Sequence, residues 1–223
     1  MSVKLFFGAL IKFILGVLIM FILLFVPAGS LNYWNGWLLM ILLFIPMFIV
    51  GIVMMINTPD LLKIRLDIKE QETDQKKVVL YSGLLFLICF ILAGLNYRYN
   101  WIQLPKIVVI ISSVIFILSY ILYTEVLREN AFLSRTIKVQ KEQKVIDSGL
   151  YRVVRHPMYL STIILFLSMQ LVLGSIISFV AFLVYPFIIA KRINNEEKVL
   201  EKDLKDYLKY KKQVKYKMIP FIW

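Results

Sequence analysis

The sequence predicts an all-α fold, a polytopic transmembrane helical bundle, and three observations lead there. Of 223 residues, 60% are hydrophobic and 18% charged, and the mean hydropathy is +0.78. That is more apolar surface than a soluble domain of this length can bury. Four apolar stretches, Leu5 to Val26, Gly36 to Ile56, Val78 to Leu95 and Ile107 to Leu127, are each long enough, at about 1.5 Å per residue, to cross a hydrocarbon core of about 30 Å. A fifth run, Leu160 to Ala190, holds no charged residue at all.

The first stretch carries Lys12, whose long stem can snorkel to an interface. Its length and the span that follows make it a retained helix rather than a cleaved signal peptide. The run from Leu160 to Ala190 is too long for one upright span and is interrupted by Gly174 and Ser175. It reads either as one tilted, kinked helix or as a helical hairpin turning at Gly174. Arg152 and Arg155 precede it, and Lys191 and Arg192 follow it. A hairpin puts both basic groups on one side of the membrane, which favours the hairpin.

Lys and Arg number five from Asn57 to Lys77, seven from Arg128 to Arg155 and ten from Lys191 onward, against none from Pro27 to Asn35. All three basic segments fall on one side if there are about six passages with both termini cytoplasmic. In the tail, Asn194 to Tyr216, Val199, Leu200, Leu204, Tyr207 and Leu208 recur at helical intervals among charges. This predicts an interfacial C-terminal helix on the cytoplasmic membrane surface, with Ile219 to Trp223 as an anchor. No linker, low-complexity tract or repeat divides the chain. One membrane domain, 1–223, is expected, with four transmembrane helices in 1–127 and a connector, hairpin and tail in 128–223.

The net charge of +12 collects beside apolar runs, a pattern that suits anionic membrane lipids as partners and gives no reason to expect nucleic acid. Cys89 is the single cysteine and His156 the single histidine, so no intrachain disulfide is possible and no metal site is expected.

Two segments could carry chemistry. The first is Gly149-Leu150-Tyr151-Arg152-Val153-Val154-Arg155-His156-Pro157-Met158-Tyr159, where the connector enters the hairpin. Each residue has an ordinary explanation at a membrane boundary: a snorkelling Arg155, a first-turn Pro157, interfacial tyrosines. That leaves unexplained why the only histidine directly precedes the helix-starting proline. The second is Arg192-Ile193-Asn194-Asn195-Glu196-Glu197. Here Arg192 and Glu196 share a helix face and read, taken alone, as a surface ion pair of small value. Folding at Gly174 brings His156 and Tyr159 to Arg192 and Glu196. Imidazole, aromatic, basic and acidic groups then converge beside an apolar interior, as a site for a polar cofactor and a lipid-like substrate requires.

Tyr151, Arg155 to Tyr159, Arg192, Glu196 with Glu197, Tyr207 with Tyr210, and Ile219 to Phe221 together resemble the isoprenylcysteine carboxyl methyltransferase and phospholipid methyltransferase group over roughly Val139 to Trp223. The resemblance implies an S-adenosylmethionine cofactor held by the connector, hairpin ends and tail, on the cytoplasmic side. It implies cofactor contacts from Gln140, Gln143, Lys144, Val145, Ile146, Tyr151, His156, Pro157, Met158, Tyr159 and Glu196. The spacing between Gln140 and the run that begins at Gln143 is shorter than the family's. Arg192 corresponds to a residue that faces the substrate and is the catalytic candidate. The implied partner is a lipidic or prenylated small molecule or peptide. The first four helices carry no motif tied to activity.

Methyl transfer from a sulfonium needs a positioned nucleophile and a water-poor site more than acid–base chemistry. A carboxylate acceptor is already ionised near neutral pH, and Arg192 can orient it with its planar fork. A phospholipid amine acceptor would first have to lose a proton, making Glu196, Glu197 or His156 a candidate base. No Gly-x-Gly-x-x-Gly run supports a Rossmann cofactor domain. Two rivals remain. One is a membrane reductase of the sterol type with a nicotinamide cofactor, whose similar Arg-His-Pro-x-Tyr segment is usually followed by an acidic residue where this chain has Leu160-Ser161-Thr162. The other is a transporter or scaffold, which the scarcity of ionisable residues in the spans disfavours.

Overall fold

The computed structural model describes residues 3–66, 73–134, 136–137, 139–140 and 142–223. Lys69, Arg135, Lys138 and Lys141, four of the basic residues behind the charge reading, lie outside these. The described residues form α1 Val3–Ala28, α2 Trp34–Asn57, α3 Pro59–Leu66, α4 Thr73–Tyr99, α5 Lys106–Glu129, α6 Pro157–Val172, α7 Ile176–Phe182, α8 Tyr185–Asp203 and α9 Tyr207–Gln213, with a 3₁₀ turn at Gly149–Arg152.

Among the described residues, five helical stretches are long and apolar enough to cross a membrane: Leu5–Ala28, Trp34–Asn57, Gln75–Tyr99, Lys106–Glu129 and the combined Ile176–Asp203. The sixth expected passage, α6, has 16 residues and reaches only about 24 Å. Its short length is compensated at its end, which docks on the α1–α2 turn inside the bundle. Tyr33 Oη donates to the Leu173 carbonyl at 2.7 Å, and Asn35 Nδ2 donates to the Val172 carbonyl at 2.8 Å. These bonds satisfy helix-end carbonyls that water cannot reach.

The chain does turn back at Gly174. Gly174 N donates to the Leu171 carbonyl at 2.9 Å and Ser175 N to the Gln170 carbonyl at 3.3 Å, and Gly174 has φ +73°. This is a Schellman ending, which requires the left-handed conformation glycine adopts without strain. Ser175 then caps α7, its hydroxyl accepting from Ser178 N at 3.2 Å. The returning arm is itself bent between α7 and α8. Pro186 lacks the N–H that would bond the Phe182 carbonyl, and the helix restarts through Phe187 N to the Val184 carbonyl at 3.1 Å.

Two apolar clusters hold the bundle. Leu24, Phe25, Tyr33, Leu39, Phe90, Phe116, Met169 and Leu173 join α1, α2, α4, α5 and α6. Near the basic end, Cys89, Tyr159, Ile163, Phe182, Tyr185, Ile189 and Ile193 join α4 to both hairpin arms. Phe86 makes edge contacts there with the rings of Phe166 at 4.8 Å and Phe182 at 4.9 Å. Ile11, Leu18, Ile22, Ile41, Ile110, Leu118 and Ile121 stand exposed around the outside, the surface a lipid-facing bundle presents.

The tail differs from the single interfacial helix expected over Asn194 to Tyr216. α8 continues to Asp203, the chain bends at Leu204, Asp206 takes φ +64°, and α9 folds back. Leu204, Tyr207, Tyr210 and Val214 pack with Val139, Val145 and Leu200, while Leu208 stays exposed. The apolar face read as membrane-binding is therefore spent mainly on covering the connector. A period of helical spacing specifies that a face is buried, not what buries it.

Candidate functional site

The connector reaches the hairpin through a turn fixed by Glu129 at the end of α5. The carboxylate accepts from Leu150 N at 2.9 Å, and Gly149 lies against it with φ +52°. A Cβ on residue 149 would meet Glu129 Oε1 at 1.7 Å, so only glycine fits there. The turn carries Tyr151 inward, where Asn130 Nδ2 donates to its hydroxyl at 2.9 Å and Tyr210 Oη donates to its carbonyl at 2.7 Å.

The next residues form a latch between the hairpin and the tail. Arg155 N donates to the Tyr216 carbonyl at 3.0 Å and His156 N to the Lys217 carbonyl at 2.8 Å. Arg155 Nη1 donates to the carbonyls of Val214 at 2.6 Å and Lys215 at 2.8 Å. At the centre is Glu197, whose Oε1 lies 2.7 Å from Arg155 Nε and 3.3 Å from His156 Nε2. Its Oε2 lies 3.5 Å from Lys211 Nζ and 3.8 Å from Lys217 Nζ. Arg155, His156 and Glu197 are 6%, 5% and 3% exposed. Charges as deeply buried as those of Arg155 and Glu197 are tolerable only because each is paired and hydrogen-bonded.

On the other face of α8, Glu196 points into a cavity. Tyr159 Oη donates to Glu196 Oε2 at 2.5 Å, and Arg192 Nε donates to Tyr159 Oη at 2.9 Å. The helix-face pair Arg192 and Glu196 is thus linked through a phenol from α6. Adjacent glutamates, about 100° apart around the helix, take different tasks: Glu197 holds the latch, and Glu196 faces the cavity.

Of the residues singled out in the sequence, Gln143, Lys144, Val145, Ile146, Tyr151, His156, Met158, Tyr159, Arg192 and Glu196 line this one cavity. Gln140 and Pro157 do not. Gln140 Nε2 donates to the Phe132 carbonyl at 2.5 Å and its backbone N–H to Gln143 Oε1 at 2.8 Å, so it shapes the loop that carries Gln143. Pro157 is buried in the first turn of α6, where its fixed φ suits helix initiation. The cavity is completed by residues the sequence reading did not assign, among them Asn130, Phe132, Leu200, Leu204, Tyr207 and Tyr210. Tyr207 and Tyr210 were visible as a spaced pair that carries part of the resemblance, but Tyr207 was placed on the membrane-facing side of the tail and Tyr210 was given no role. Asn130 and Phe132 follow α5 without any motif.

Burial pushes the phenols of Tyr151, Tyr207 and Tyr210 well above the ordinary tyrosine range, so all three remain neutral donors. Tyr207 is 3% exposed, and its hydroxyl has no hydrogen-bond partner among the described residues. A buried hydroxyl left without a partner is costly, and this one belongs to a side chain lining the cavity.

No curated protein matches the chain. Residues 108–202 match the model of the isoprenylcysteine carboxyl methyltransferase (ICMT) family, a stretch that runs from the start of α5 to the last turn of α8 and includes the turn, the latch residues Arg155, His156 and Glu197, and both hairpin arms. Over that segment, 95 of the 223 residues, the chain is similar to the isoprenylcysteine carboxyl methyltransferase family.

Proposed function

We propose that the cavity binds S-adenosylmethionine and that the protein methylates the carboxylate of a membrane-embedded, isoprenylcysteine-like acceptor. The observation that carries this reading is the buried Tyr207 hydroxyl without a partner among the described residues, in a cavity that also holds the Arg192–Tyr159–Glu196 chain. The lining suits the cofactor's chemistry. The rings of Tyr151, Tyr159 and Tyr207 and the Glu196 carboxylate favour a positively charged sulfur, Val145, Ile146 and Leu200 offer apolar flanks for a base, and Tyr207 is a donor awaiting an acceptor. When bound, the cofactor supplies a methyl group on a cationic sulfur, so transfer to a carboxylate yields a methyl ester and a neutral thioether.

The chain's own residues bind and orient. Tyr159 holds the Arg192 guanidinium at the cavity wall through Nε, and the planar geometry of a guanidinium suits a carboxylate. The latch excludes water by holding the tail over the connector, and exclusion of water strengthens every charge interaction inside. No general base is required for an ionised acceptor, since a free carboxyl group has a pKa of about 4.

The test uses purified protein, labelled S-adenosylmethionine and S-farnesyl-N-acetylcysteine as the carboxylate probe. Base-labile label should appear in the probe, at a rate nearly flat from pH 7 to pH 9. A rate climbing steeply with pH, or label found only on phospholipid amines, would overturn carboxyl methylation.

The basic residues near the latch also support placing both termini and the cavity on the cytoplasmic side. In a Cys89→Ser background, Gln143→Cys and Lys211→Cys should react with an impermeant maleimide from the cytoplasmic face alone. Reaction of either from the opposite face would refute this orientation.

A further inference from the structure

α3 lies outside the matched family segment, yet it ends against the cavity wall. Its side chains separate sharply: Leu61 and Leu62 are buried, Lys63 is exposed, and Arg65 is half-buried and turned inward. Arg65 Nη2 donates to the Tyr123 hydroxyl on α5, and the guanidinium carbon sits 5.5 Å from the centroid of that ring. Nη1 lies 4.0 Å from Met158 Sδ on α6. An arginine acting only as a snorkelling flank would point to water as Lys63 does. Arg65 instead bridges two helices at the site.

A second unusual cation holds α3 in place. Lys12, inside the apolar α1, donates through Nζ to the Leu66 carbonyl at 2.7 Å, satisfying the C-terminal end of α3 beside Arg65. Met158 and Tyr159 both line the cavity. Arg65 approaches the first and Arg192 bonds the second. Two guanidinium groups, one from each half of the chain, thus flank consecutive residues of one wall. α2 meets α5 and α6 only sparsely, and α3 follows directly from α2 along this thinly packed seam.

We propose that Arg65 is a specificity-determining residue that receives the acceptor's carboxylate where the molecule enters from the bilayer beside α3, so that Arg65 and Arg192 together select an anionic acceptor. The inference rests on the methyl-transfer reading above. It gives the N-terminal half a task in recognition, through Lys12 positioning α3 and α3 presenting Arg65. A cation held on an aromatic ring at the edge of the hydrocarbon is a strong anion receptor, because little water competes there.

The experiment measures KM and kcat for S-farnesyl-N-acetylcysteine, together with S-adenosylmethionine affinity, in wild type, Arg65→Gln, Arg65→Lys and Tyr123→Phe. Arg65→Gln should raise KM by about tenfold to a hundredfold, with kcat and cofactor affinity little changed. Arg65→Lys should recover part of the loss, since charge is kept while the fork is not. Tyr123→Phe keeps the ring and the packing but removes the hydroxyl that orients Arg65, so KM should rise by a smaller factor even if Arg65→Gln folds poorly. A KM equal to wild type in Arg65→Gln, or an unchanged KM in Tyr123→Phe when Arg65→Gln is unfolded, would overturn the role of Arg65 alone. Wild type that binds the cofactor but never labels this probe would overturn the carboxylate reading of the whole site.

Discussion

Glu197→Ala is expected to release the C-terminal tail and abolish cofactor binding with it. Glu197 is the carboxylate on which Arg155, His156, Lys211 and Lys217 converge, and removing one partner of a buried ionic network typically costs about 3–5 kcal/mol. Most of that cost comes from the buried Arg155 left without its counter-charge. Thermal unfolding in detergent should begin well below the wild-type temperature, and protease should cut between α8 and Trp223 under conditions that leave wild type intact. Glu196→Ala, one residue away, should leave the tail protected, because Glu196 meets Tyr159 at the cavity and does not hold the latch. Equal protease resistance in Glu197→Ala and wild type would show that the tail is held by its apolar contacts instead.

Arg192→Lys should separate binding from chemistry. The lysine keeps the charge but loses both the planar fork and the Nε bond to Tyr159 that fixes its direction. Turnover with a carboxylate acceptor should fall by about a hundredfold, the scale seen when one oriented donor is lost from an active site, while S-adenosylmethionine affinity stays near wild type. Steady-state kinetics and calorimetry on the same preparation check this. Normal turnover in Arg192→Lys would remove Arg192 from the chemistry.

The bundle itself was legible because apolar runs, glycine position and charge placement act locally. Placing Arg155 and Lys191 on one side favoured a hairpin over one kinked helix for the uncharged run around Gly174, and the chain turns there. Pro186 marked the bend in the returning arm, but the run was read by its charges and the proline was passed over. The cavity was legible through His156, Tyr159, Arg192 and Glu196, since a hairpin brings its two ends together. The division of labour between Glu196 and Glu197 was not, because it depends on which face of α8 meets the latch. What the tail's apolar face packs on was hidden for a similar reason. Leu204 and Tyr207 have the periodicity of any buried face, and the connector that covers them, through Val139 and Val145, is distant in sequence. Arg65 was hidden most deeply: among other interfacial cations it is unremarkable until Tyr123 and Met158 are seen beside it.

Whether the cavity under the tail is a cofactor site is decided by calorimetric titration of the purified protein with S-adenosylmethionine, then with its demethylated product. Saturable binding of both is expected, weakened in His156→Ala and Glu196→Ala by about 1–3 kcal/mol each and in Tyr207→Phe by the loss of its one donor. Absence of saturable binding by either compound, in protein whose thermal unfolding remains cooperative, would contradict a cofactor site there.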